Sequence, residues 1–125
     1  MMDAPGGWRI LIVDDSRDDA ELTEIALREA GLRFVARRAS TAQDMDEALA
    51  AFSPQLVISD LNLPGFSGEE ARALARAHDP ALPFVFLTGA LYAPEPPPDA
   101  DVPLLTKDAL GELPDLLRGL LPEAE

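Results

Sequence analysis

Leu56-Val57-Ile58-Ser59-Asp60-Leu61-Asn62-Leu63-Pro64-Gly65-Phe66-Ser67-Gly68-Glu69-Glu70 is the stretch around which the chain is organised. Its opening run is short, apolar and rich in β-branched residues, which predicts a buried strand. The run ends abruptly in an acid. Pro64-Gly65 marks a turn, and Ser67 followed three residues later by Glu70 has the spacing of a helix capping box. Asp60 is therefore expected at the C-terminal mouth of a strand, in a strand–loop–helix unit. That edge is where open α/β sheets bind ligands. Alone, the acid could simply begin a turn; the ends of the other strands decide otherwise.

Arg9-Ile10-Leu11-Ile12-Val13 predicts a first strand buried on both faces, and it too ends in acids, Asp14 and Asp15. Ser16 with Asp19 caps a first helix, whose expected inward stripe is Leu22, Ile25, Ala26 and Ala30, with Gly31 as its stop. Phe34 to Ala39 is more polar and suits an edge strand. Thr41 with Asp44 opens a second helix that turns Met45, Ala48, Leu49 and Phe52 inward. The third helix is expected from about Gly68 to His78, burying Ala71, Leu74 and Ala75. Phe84 to Leu87 is a fourth strand leading into Thr88-Gly89, and Val102 to Thr106 is a fifth, followed by Lys107. Leu113, Leu116, Leu117, Leu120 and Leu121 line a last helix, with Pro114 tolerable in its first turn.

Alternating strands and helices predict a parallel sheet covered on both faces, an α/β doubly wound fold. Residues 1–8 are expected to form a flexible leader, 9–121 a single domain and 122–125 a tail. One segment interrupts the alternation. Residues 94–98 hold four prolines in five positions, so no regular helix is expected between the fourth and fifth strands.

Composition narrows the function classes. A net charge of −13 over 125 residues argues against a nucleic-acid-binding surface. The absence of cysteine removes disulfide and thiolate chemistry, and no apolar run approaches a membrane span. A cytoplasmic protein without membrane contact is the expectation.

The strand ends carry the chemistry. Asp14, Asp15, Asp60, Thr88 and Lys107 should meet at one edge of the sheet. Crowded carboxylates need a proton or a cation, and a hard divalent ion, Mg2+ by preference, accepts their oxygens. A hydroxyl and an ammonium match phosphate oxygens. The set describes a site that moves a phosphoryl group onto a carboxylate.

Four pieces carry a family resemblance: Val13-Asp14-Asp15-Ser16, Ser59 through Gly68, Leu87-Thr88-Gly89, and Leu105-Thr106-Lys107-Asp108. In this order, each after its own strand, they resemble the response-regulator receiver domains of two-component signalling, most closely those associated with sensor histidine kinases. The resemblance implies a flavodoxin-like sheet of five strands in the order 2-1-3-4-5. It implies that Asp60 is the phosphoacceptor, that Asp15 ligates the metal directly and that Asp14 holds it through water. Asn62 would offer a backbone carbonyl to the metal, Thr88 a hydroxyl to the phosphoryl group, and Lys107 its ammonium.

The implied function is acceptance of a phosphoryl group on Asp60, with Mg2+, from a sensor histidine kinase or a phosphotransfer protein. The domain would assist its own phosphorylation and dephosphorylation without being an enzyme in its own right. Two departures stand out. Leu104 occupies the place of an aromatic switch residue, and the Pro-rich tract replaces the family's fourth helix. They favour an alternative, an atypical receiver that acts as an interaction module without switching. The missing helix also leads to the expectation that the strand 4/strand 5 face is closed by an output partner or a second copy of the chain. A phosphohydrolase ranks last, because Asn62 stands where such enzymes place an acid.

Overall fold

The structure is a computed structural model and describes residues 7–61, 67–89 and 102–120. β1 (Trp8–Val13), α1 (Arg17–Glu29), β2 (Phe34–Ala39), α2 (Ala42–Phe52), β3 (Leu56–Asp60), α3 (Gly68–His78), β4 (Phe84–Thr88) and β5 (Leu104–Thr106) follow in order. A 3-10 segment over Lys107–Glu112 then runs into α4 (Leu113–Leu120). The strands form one parallel sheet in the order β2-β1-β3-β4-β5, as expected. The expected helix-breaking tract at 94–98 lies outside the described residues, as do Asn62 and Tyr92.

The central strands are largely apolar because both of their faces are covered, with polar residues near their C-terminal ends. Leu11, Val13, Val57, Phe84 and Phe86 point to one side, into a core completed by Met45, Ala48 and Leu49 of α2 and by Ala71 and Ala75 of α3. Ile10, Ile12, Ile58, Val85 and Leu87 point to the other, against Ala20 and Leu27 of α1 and Leu113 and Leu117 of α4. Each of the buried Val, Leu, Ile, Phe and Met side chains contributes about 1.5–3 kcal/mol by leaving water. β2 is the polar edge strand that its sequence indicates, with Val35 and Arg37 exposed.

Caps fix where the helices begin. Ser16, Thr41 and Ser67 accept hydrogen bonds from the backbone N–H groups of Asp19, Asp44 and Glu70. Glu70 returns the bond to the Ser67 N–H at 2.8 Å, completing the capping box. Gly31, at φ 84°, ends α1 in the left-handed region.

Two expectations need correction. The inward stripe of α1 is Ala20, Thr23 and Leu27, whereas Leu22 and Ile25 are exposed. Thr23 tolerates burial because its hydroxyl donates to the Asp19 carbonyl one turn back, at 3.1 Å. β5 is shorter than expected, since Pro103 has no N–H to give the ladder and only its carbonyl is used, by the Phe86 N–H at 2.9 Å.

On the strand 4/strand 5 face, where an output partner or a second copy of the chain was expected, the strand side chains are largely covered. Phe84, Phe86 and Val102 are buried within the single chain, and Leu104 is half-buried against the same core. The Phe84 and Phe86 rings meet edge to face, 5.2 Å apart.

Gly68 sets the distance between β3 and α3. Its N–H donates to the Leu61 carbonyl at 3.0 Å, and a Cβ at this position would stand 2.9 Å from the Leu61 Cα and carbonyl oxygen and 3.0 Å from the Phe86 ring. Backbone does not yield as a flexible side chain would. Gly68→Ala is therefore expected to destabilise the fold by about 1–3 kcal/mol, more than any gain in helix propensity returns. Urea unfolding measures it, and an unchanged or raised midpoint would contradict the close approach.

Candidate functional site: an acidic cluster closed by one lysine

The register of the sheet assembles the site. Val13 pairs with Ser59, Asp60 with Leu87, and Thr88 with Thr106. Strand ends of β1, β3, β4 and β5 therefore lie side by side, and Asp14, Asp60, Thr88 and Lys107 emerge from them. The strand order reverses between β1 and β3, which makes this the switch point where such sheets bind ligands.

Asp14, Asp60 and Thr88 are nearly closed to solvent, at 2%, 8% and 0% exposure. Asp15 is exposed. One carboxylate oxygen from each of Asp14, Asp15 and Asp60 falls within 4.8 Å of the others. Three acids this close, two of them buried, suit a hard divalent cation. Asn62, the remaining ligand expected from the sequence, lies outside the described residues.

Lys107 lies across this cluster. Its ammonium donates to Asp19 Oδ2 at 2.8 Å, Asp14 Oδ2 at 2.9 Å and Asp60 Oδ2 at 3.2 Å. An ammonium carries three N–H donors, so all of them are matched. The other Asp14 oxygen, Oδ1, accepts the Ser16 N–H at 2.9 Å, and the Asp14 carbonyl accepts from Arg38 at 3.0 Å.

Lys107 is the only lysine in the chain; the other nine cationic side chains are arginines. A planar guanidinium does not offer three donors diverging from one nitrogen.

Asp19 is the site residue that sequence reasoning missed. Its place three residues after Ser16 reads as capping, and its backbone N–H does cap α1. Its side chain, however, turns towards Lys107. A signal was available: a lone lysine among 23 acids, with an aspartate one turn beyond the β1 acids.

The charges shift one another. Burial pushes the Asp14 carboxyl above its ordinary range, only partly offset by the Ser16 N–H and by Lys107, while the charge of Asp60 adds to the rise. Burial pulls the Lys107 ammonium down, but hydrogen bonds to Asp19 and Asp14 and the charges of Asp14 and Asp60 more than reverse this, holding it above its ordinary value.

A raised lysine stabilises the fold fully below its unfolded pKa of 10.5, and that stability is lost as pH rises through the higher folded value. Melting temperature in metal-free buffer should thus fall above pH 10.5. The curve of Lys107→Met should lie lower at neutral pH and meet it there. Parallel curves across that window would show that Lys107 does not carry the alkaline limb.

Residues 10–95 match the response regulator receiver domain family. Among curated relatives, the chain is 38% identical over 80 residues to the response regulator protein FleR of Pseudomonas aeruginosa. That stretch covers 64% of this chain and 16% of FleR. It is 39% identical over 83 residues to the DNA-binding response regulator MtrA of Mycobacterium tuberculosis, covering 64% of this chain and 34% of MtrA. The match thus spans about a third or less of each relative's length.

Two solved structures share the fold. One is the signal receiver domain of an HD domain-containing protein from Pseudomonas fluorescens, with a TM-score of 0.74 at 22% identity, covering 97% of this chain and 91% of that one. The other is the N-terminal domain of a response regulator/sensory box/GGDEF protein from Carboxydothermus hydrogenoformans, with a TM-score of 0.73 at 24% identity, covering 90% and 92%. The matched residues hold β1 to β4 with Asp14, Asp15, Asp60 and Thr88, and the sheet order agrees with the resemblance read from the sequence: the chain belongs to the response regulator receiver domain family.

Proposed function

We propose that this receiver domain accepts a phosphoryl group on Asp60 from the phosphohistidine of a sensor histidine kinase or a phosphotransfer protein, with Mg2+ bound beside it. The observation that carries the reading is the joint approach of Asp14, Asp15 and Lys107 to the Asp60 carboxylate. In the transfer, a P–O bond forms to an Asp60 oxygen as the P–N bond to imidazole breaks. The imidazole leaves with the electron pair and takes up a proton. Lys107 is within reach to donate to a phosphoryl oxygen, and Thr88, at the adjacent strand end, supplies a hydroxyl.

Asp14, Asp15 and Asp60 would hold Mg2+, with the Asn62 carbonyl as the further expected ligand. When bound, the ion neutralises charge on the transferring group. The domain is a signalling module whose output leaves through protein contacts. A cytoplasmic location suits it, and among the described residues no helix is long and apolar enough to cross a membrane. The test is incubation with acetyl phosphate and Mg2+ followed by intact mass. One added phosphoryl group is the expected result, and none under saturating donor would remove the reading.

One observation favours the alternative, an atypical receiver that acts as a protein-interaction module without phosphorylation switching. Leu104 is half-buried against the core and has no ring with which to report on Thr88. If labelled and unlabelled protein show the same amide exchange over β4 and β5, the alternative holds.

Asp15→Ala separates the metal from the rest. Asp15 is exposed, so its removal should change stability in metal-free buffer by less than about 0.5 kcal/mol. It should nevertheless abolish the stabilisation that millimolar Mg2+ gives the wild type by linkage. A full Mg2+ response in Asp15→Ala would exclude Asp15 as a ligand.

A further inference from the structure

Asp19 holds the shortest of the three contacts to Lys107, 2.8 Å. Its backbone is committed on both sides: its N–H donates to Ser16 Oγ and its carbonyl accepts the Thr23 hydroxyl. Its carboxylate differs from those of Asp14 and Asp60 in two respects. It is outside the cluster of Asp14, Asp15 and Asp60 that suits a metal ion, and it is more exposed than either of the others that Lys107 contacts, 40% against 3% and 10% for the side chains.

A divalent ion among Asp14, Asp15 and Asp60 would draw on two of the carboxylates that now accept from the ammonium. Phosphorylation would then turn the Asp60 carboxylate into an acyl phosphate, a mixed anhydride. Both events remove acceptors from Lys107, and neither touches Asp19. Without Asp19, the flexible four-carbon stem would leave the ammonium either competing with the ion for Asp14 and Asp60 or drifting into water.

We propose, resting on the phosphoacceptor reading, that Asp19 is a positioning residue that keeps Lys107 at the mouth of the site while Asp14 and Asp60 turn to the ion and the phosphoryl group. Asp19 acts through the lysine and is itself neither ligand nor acceptor. Asn at this position keeps the shape and the backbone cap but gives up the ion pair.

The experiment is a double-mutant cycle on Mg2+ affinity by calorimetry, joined to one spectroscopic measurement. Asp19→Asn should weaken Mg2+ binding by about tenfold, the scale on which partners outside the ligand set act, and Asp19→Glu should restore most of it. In a Lys107→Met background the same Asp19→Asn change should alter affinity by less than about twofold. An equal loss in both backgrounds would mean that Asp19 acts on the ion as a plain charge, and no loss in either would mean that it does nothing; both overturn the proposal.

Because Lys107 is the only lysine, lysine-selective 15N labelling gives a single side-chain ammonium signal. Exchange of that signal with water should quicken in metal-free Asp19→Asn, and unchanged exchange overturns the proposal without recourse to Mg2+. Wild type that takes no phosphoryl label while the lysine signal still depends on Asp19 would remove the phosphoacceptor reading and leave the lysine anchored as described.

Discussion

Asp60→Asn is expected to reduce phosphoryl labelling by at least about a hundredfold, to background, since losing the nucleophile costs more than losing any group that assists it. The amide has the shape of the carboxylate but not its charge or its nucleophilic oxygen. The fold should not suffer. Asp60 is one of three acids sharing a single lysine, and Asp14 and Asp19 keep that lysine paired at 2.9 and 2.8 Å after the change. Removing one negative charge from a crowded acidic cluster relieves repulsion, so melting temperature in metal-free buffer should stay within a few degrees of wild type or rise. The two hydroxyls at these strand ends are poorly placed to substitute. Ser59 is wholly buried and donates to the Asp60 carbonyl at 2.9 Å, and Thr88 is wholly buried. Label persisting at the wild-type rate in a folded Asp60→Asn protein would sink the assignment, and its location by peptide mass would name the true acceptor.

The sheet was legible because central parallel strands are covered on both faces, so β1, β3 and β4 announce themselves as continuous apolar runs. Asp14, Asp60 and Thr88 interrupt those runs where each strand leaves the core, and the register then brings the interruptions together. The caps were legible for a similar reason: Ser16, Thr41 and Ser67 stand at the one place in a helix where a short hydroxyl side chain is favoured.

The inward face of α1 was not legible, because two stripes share the helical period. Leu22, Ile25 and Ala26 make the more apolar one, yet Ala20, Thr23 and Leu27 are buried. Thr23 reads as polar in sequence, and only the bond from its hydroxyl to the Asp19 carbonyl reveals that its polarity is already satisfied. The same helix turn hid Asp19. A residue whose backbone caps and whose side chain pairs across the fold has two roles, and local sequence shows only the first. The pairing spans 88 residues and exists only once β5 delivers Lys107 to the same edge.

Lys107→Met should lower stability in metal-free buffer by about 2–4 kcal/mol, because it strips the cation from acids that remain buried. Methionine keeps much of the aliphatic stem, so the change isolates charge more than packing. What is left behind decides the size of the loss. Asp14 has a side chain only 3% exposed and already suffers from burial and from the charge of Asp60, whereas Asp19 can turn to solvent. The cost therefore falls mainly on Asp14 and Asp60. Mg2+ should return most of it, since a divalent ion among Asp14, Asp15 and Asp60 supplies the charge that the ammonium gave. The stabilisation by Mg2+ should then be larger in Lys107→Met than in wild type, where ion and ammonium would draw on the same two carboxylates. Phosphoryl labelling should fall despite tighter Mg2+ binding, because no ammonium remains to meet the phosphoryl oxygen. Lys107→Arg should not recover it, as a planar fork fits poorly where three bonds diverge from one nitrogen. Urea unfolding with and without Mg2+ measures the first two effects. An equal loss in both buffers would mean that Mg2+ does not replace the charge of Lys107, and no loss in either would mean that its three ion pairs contribute nothing to the fold.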